Sequence, residues 1–169
     1  YFSKRDPKSQ ALIESYSTQF LTQESEGLFF QAVTLIGNRK WTEAKERLDQ
    51  ANAKDPEQIL ILLRLAQVEM ALGKKDLAEV SLKSALKVNP FHRDSKLLLA
   101  TLKAETDEEK EALRMLEAYR AYLFEVPALM NVYLKLLIKL EKKAEIIVFK
   151  KRLMASKNIS VLTWFGLSK

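Results

Sequence analysis

The chain has no cysteine, one histidine, and only four glycines and four prolines in 169 residues. Without Cys there is no disulfide, no thiolate nucleophile and no Cys-based zinc or iron–sulfur site. His92 has no second His or Cys to complete a metal site, so it reads as a surface or packing residue. Gly27, Gly37, Gly73 and Gly166 never approach the GxxxxGK spacing of a phosphate-binding loop. Neither catalysis nor a metal or other cofactor is expected. Scarce Gly and Pro in a chain rich in Ala, Leu, Glu and Lys argue against sandwiches and barrels and for helices throughout. Long apolar runs are also missing: the densest, Ile59 to Leu63, is followed at once by Arg64, far short of the roughly 18 residues of a membrane span. A compact chain of this size buries roughly 70% of its unfolded surface and needs no staple.

What is present is a repeat. Ala44, Leu48, Ala51 and Pro56 recur 34 positions later as Ala78, Leu82, Ala85 and Pro90, and Ala32 recurs as Ala66. The same step finds Ala100, Ala112 and Leu116, and sets units at 25–58, 59–92, 93–126 and 127–160. The fourth keeps only Leu134, Ile146 and Leu153, with Lys150 in place of a Leu. It is either degenerate or shifted in register by a few residues. Each unit reads as two helices. In the second, Leu60, Leu63, Ala66, Gln67 and Met70 follow helical spacing until Gly73, and Leu77, Ala78, Leu82, Ala85 and Leu86 resume it. Gly73 supplies a positive φ for the end of the first helix, and Asn89-Pro90 ends the second. In the third unit Thr106 and Glu109 have capping-box spacing. The recurring alanines let paired helices approach closely.

This pattern resembles the tetratricopeptide repeat family, a 34-residue helix–turn–helix with small residues at positions 8, 20 and 27, large apolar ones at 4, 7, 11 and 24, and Pro at 32. Units one and two match at Ala32, Ala44, Leu48, Ala51 and Pro56, and at Leu62, Leu65, Ala66, Ala78, Leu82, Ala85 and Pro90. They depart at Gln31 and Glu69, and unit three has Tyr119 for a small residue. The resemblance implies an all-α, right-handed superhelical solenoid. Residues 1–24 would add an N-terminal capping or linker helix, packed on the first repeat or lying in its groove. Residues 161–169, with Trp164 and Leu167 at repeat positions, would form a capping helix or open a further repeat.

Solenoids of this family bind peptides or helices on the concave face lined by first helices. Carried onto this chain, the register assigns the groove to Phe29, Val33 and Ile36, then Leu63, Gln67 and Met70, then Leu97 and Thr101. The alternative for several of these is packing between helices. Family members that clamp a chaperone's acidic tail carry Lys and Asn where Phe29 and Val33 stand, so that ligand is not expected here.

The net charge of +6 is uneven. Residues 128–169 hold nine Lys and Arg against two Glu, a net +7, so the excess lies at the C-terminal end. Lys135, Lys139, Lys142, Lys143, Lys150, Lys151 and Arg152 form either a solvated face or a basic face for an acidic protein, nucleic acid or an anionic membrane. Without an aromatic stacking platform among them, nucleic acid is disfavoured. The expected role is a non-enzymatic adaptor or scaffold that takes a peptide or amphipathic helix of another protein. Its alternatives are a regulatory or output module of a larger signalling protein and a self-associating scaffold. The expected location is cytoplasmic, and Tyr1-Phe2 before Ser3-Lys4-Arg5 also fits the end of an upstream membrane helix.

Overall fold

The computed structural model describes Lys8, residues 24–123 and residues 125–155. The helices expected for 1–24 and 161–169 lie outside the described residues, apart from Lys8 and Glu24. The described part is all-α: α1 Ser25–Gly37, α2 Trp41–Lys54, α3 Ile59–Ala71, α4 Lys75–Val88, α5 Arg93–Lys103, α6 Glu109–Glu117, α7 Arg120–Leu123, α8 Pro127–Lys139 and α9 Lys143–Ala155. First helices start at 25, 59, 93 and 127, and second helices at 41, 75, 109 and 143. The 34-residue spacing of helix starts therefore holds through all four pairs among the described residues.

The turn inside each repeat explains this constancy. Arg39, Gly73, Asp107 and Glu141, spaced by 34, all have positive φ, between 54° and 72°. After each, the next backbone N–H reaches five residues back: Lys40 to Leu35 at 2.9 Å, Lys74 to Glu69 at 2.8 Å, Glu108 to Lys103 at 3.3 Å and Lys142 to Leu137 at 2.9 Å. This left-handed closure satisfies carbonyls that the helix end leaves open. Glycine was visible at one of the four sites only; at the others an L-residue accepts a strain of about 1 kcal/mol. The capping box expected at Thr106 does not form. Asp107 must be left-handed before α6 can begin, so Thr106 stays in the turn, and its hydroxyl donates back to the Leu102 carbonyl at 3.3 Å.

The helices form two compact units, residues 1–98 and 99–169, divided within α5 between Leu98 and Leu99. In the first unit, α1 packs on α2, α2 on α3 and α3 on α4. Ala32, Ala44, Ala51, Ala66, Ala78 and Ala85 are fully buried where these helices meet, with Leu48 and Leu82 beside them. Trp41 packs against this core from its edge. Glu69, at a place where the family resemblance leads one to expect an aromatic, is buried instead with partners. Ser81 Oγ donates to its carboxylate at 2.8 Å, and Lys45 Nζ of the preceding repeat lies 3.6 Å away. Burial alone would pull the Lys45 ammonium down; its hydrogen bond and charge pairing with Asp49, then Glu69, outweigh this and hold it above its ordinary value.

In the second unit, Ala100, Ala112 and Leu116 repeat the pattern, and then it breaks. Tyr119 stands where Ala51 and Ala85 are fully buried, and the second helix is interrupted at Ala118-Tyr119 before the short α7. A phenol ring cannot enter a contact shaped for a methyl group, and the backbone yields instead. The fourth repeat has Leu134 and Ile146 in place of a facing alanine pair. In its second helix, α9, Phe149 is buried, 5.6 Å ring to ring from Tyr133, while Lys150 is exposed.

Thermal or urea melts test these contacts. Arg39→Gly is expected to stabilise the chain by about 1 kcal/mol and Gly73→Ala to destabilise it similarly; space is not the issue, since a Cβ at Gly73 meets nothing within 4 Å. Ala78→Leu should cost about 1–3 kcal/mol by overpacking. Glu69→Ala strands the Ser81 hydroxyl and removes a partner of Lys45, a loss of about 1–3 kcal/mol that Glu69→Gln reduces. Because the Lys45 value is raised on folding, its contribution is fully present below the ordinary lysine range and is lost only as pH rises through the higher folded value. A melt series between neutral pH and pH about 9 should therefore show no loss from this group.

Candidate functional site

Repeat positions 5, 9 and 12 of the first helices were expected to line a groove. The structure separates them by burial. Ile36 and Leu97, each 4% exposed, and Leu63, 8% exposed, sit inside the protein and have almost no surface for a partner. They are packing residues first. Phe29, Val33, Gln67 and Met70 in the first unit are half-buried, with part of each side chain reaching solvent. Thr101 is also half-buried, in the second unit.

Local chemistry gives these side chains fixed orientations. Phe29 packs on the core from one side and meets Phe30 edge to face at 5.9 Å between ring centres. Gln67 accepts a 2.7 Å hydrogen bond from the Arg64 guanidinium, which leaves its amide nitrogen as a donor pointed by that contact. Val33 and Met70 add an aliphatic surface and a pliable thioether one. The result is an apolar surface on α1 and α3 with one oriented amide, the composition that suits the nonpolar side of a peptide plus one backbone group.

The basic residues are all exposed, yet they are not equivalent. Lys139 on α8 is drawn to the Glu109 carboxylate at the start of α6. The hydrogen bond to Lys139 holds Glu109 below the usual carboxylate range, and the same bond raises Lys139. Lys142 lies 3.8 Å from Glu145. Lys135 is on α8; Lys143, Lys150, Lys151 and Arg152 lie along α9. Periodicity did not show that Ile147 and Val148 stand exposed among them, at 65% and 58%.

His92 is half-buried and caps the start of α5: its Nδ1 is 2.8 Å from the Ser95 hydroxyl and accepts the Ser95 backbone N–H at 3.3 Å. Among the described residues no cluster of His, Asp and Glu could hold a metal ion, and no helix is long and apolar enough to cross a membrane.

Comparison with known proteins agrees with the helix pattern. Residues 35–91 match the tetratricopeptide repeat family model. No curated protein sequence matches the chain. Among solved structures, a thermophilic TPR protein of Thermus thermophilus superposes with a TM-score of 0.74 at 20% identity, over 94% of this chain and 87% of that one. MamA gives 0.70 at 16% identity, over 82% of each chain. YrrB, described as a TPR protein with an unusual peptide-binding site, gives 0.68 at 14% identity, over 95% of this chain and 83% of its own. At such identities the likeness is one of fold. With helix starts and left-handed turns recurring every 34 residues, residues 35–91 are a tetratricopeptide repeat segment, and the described helices as a whole have the fold of a tetratricopeptide repeat protein.

Proposed function

We propose that the chain is a non-enzymatic interaction adaptor that binds a peptide or helix of another protein on the exposed side of α1 and α3. In this reading the repeats run 25–58, 59–92, 93–126 and 127–160, with 1–24 and 161–169 as terminal segments. The observation that carries it is the half-buried set Phe29, Val33, Gln67 and Met70 on a rigid alanine-packed scaffold. Such a surface is held in place before a partner arrives, which lowers the ordering cost of binding. The peptide-binding site ascribed to YrrB lends the same class of function to the fold, although that site belongs to YrrB.

The burial pattern sets the test. Val33→Glu and Met70→Glu place a charge on the exposed side, so both variants are expected to keep the parental melt while losing proteins captured from native extract. Leu63→Glu should instead unfold the first unit, because a carboxylate at an 8% exposed site has no partner. Capture that survives both Val33→Glu and Met70→Glu, measured by mass spectrometry, would remove α1 and α3 as the binding surface.

A further inference from the structure

Helix α4 carries an apolar row on its solvent side. Leu77, Val80 and Val88 are between 42% and 61% exposed, and they share one helix face with the half-buried Ser84. Just past the helix end Phe91 continues the row, 84% exposed. Its neighbours hold it there: its backbone N–H donates to the Asn89 side chain at 2.9 Å, and Lys96 Nζ stands 5.4 Å from the ring centre. The repeat fold asks for no apolar side chain at these positions. In the first repeat they hold Glu43, Glu46, Lys54 and Glu57, all exposed, and in the third Glu111, Arg114, Tyr122 and Glu125. Repeat two alone is apolar at all four. Packing inside the chain gives no reason for the row.

The row is symmetric about Ser84. Val80 and Val88 lie four residues to either side of it, and Leu77 and Phe91 seven. A second α4 running antiparallel and crossing at Ser84 sets Val80 on Val88 and Leu77 towards Phe91, on both sides of a two-fold axis. The residue at the crossing is small, which lets the two helices come close. Charge agrees with this arrangement. Asp76 and Lys87, three turns apart, flank the row along the same edge, and neither has an ion pair among the described residues. A two-fold axis across the helix keeps each edge on its own side, so the acid of one copy meets the lysine of the other, twice. An anionic membrane would instead meet Asp76 at the edge and Ser84 at the centre of the face. Side chains of this number expose a few hundred Å² per copy. That is the small end of protein interfaces, below about 1,200 Å² in total, so the association is weak and reversible.

We propose that the α4 row is a self-association face, on which a second copy of the chain pairs antiparallel through Leu77, Val80, Val88 and Phe91, with Ser84 on the two-fold axis and Asp76 of each copy beside Lys87 of the other. No residue of the row belongs to the α1 and α3 surface, so either reading can fail without the other.

Sedimentation of the full chain over rising concentration should show a monomer–dimer equilibrium. Val80→Glu is expected to weaken it at least about tenfold, by setting a charge against Val88 of the second copy, while Val33→Glu leaves it unchanged. Val80 is exposed, so the variant should melt like the parent; if it unfolds, Val80→Ser carries the same comparison. The chain has no Cys, so single cysteines report the geometry. Ser84→Cys should cross-link through a short bis-maleimide. Lys74→Cys, ten residues from the axis, would stand about 30 Å from its counterpart and should not. The proposal fails if the chain stays monomeric up to about 1 mM, if Val80→Glu dimerises like the parent, or if the two cysteines cross-link equally. It also fails if phosphatidylcholine–phosphatidylserine vesicles capture the chain through Phe91, which would make the face a membrane surface.

Discussion

The close approach of helices at alanine is the contact on which both units depend. Eight alanines at three repeat positions are fully buried, and each lets two backbones come nearer than any larger side chain allows. Where that condition is met, in the first two repeats, the Leu48 and Leu82 side chains are fully buried beside the alanines. Where it fails, the backbone changes in a way that follows from the residue involved. The second helix of the third repeat is interrupted at Tyr119, and in the second helix of the fourth Phe149 is buried where the register places Lys150. Ile147 and Val148 are exposed beside the buried Phe149, and the residues at the Val148 repeat position, Glu46, Val80 and Arg114, are exposed as well.

The turn is the second constraint, and it is backbone geometry more than sequence. Four left-handed residues at a 34-residue spacing close four first helices, although glycine occupies only one of the sites. The tertiary packing of the helix pair overrides the local preference of Arg39, Asp107 and Glu141. Such a fixed turn is what keeps the helix starts of the fourth repeat on the period after its side-chain pattern has decayed.

Much of the fold was legible in the sequence because alanine and leucine spacing records helix contacts directly. Every alanine named from the repeat is buried, and both helix starts in each unit fall on the period. The register of the fourth repeat was not legible, because its positive-φ residue is Glu141 and carries no glycine signature. The proposed binding surface was legible only in part. Repeat position indicates which way a side chain faces, yet Ile36, Leu63 and Leu97 face the same way as Val33 and Met70 and are buried by their own neighbours. Depth depends on the size of surrounding side chains, which a linear pattern does not encode. Glu69 was visible as a departure from the family pattern; its partners Lys45 and Ser81, 24 and 12 residues away, were not.

Taken together, a rigid alanine seam holds side chains at fixed places, and what is left outside the seam is available for partners. Chemical-shift mapping of the isotope-labelled chain, with and without a captured partner, measures this most directly. Perturbations gathered at Phe29, Val33, Gln67 and Met70, with the signals of Ala44, Ala66 and Ala78 unmoved, are the predicted result. Perturbations spread through the alanine seam would contradict it, because they would mean that the partner remodels the repeats instead of resting on them.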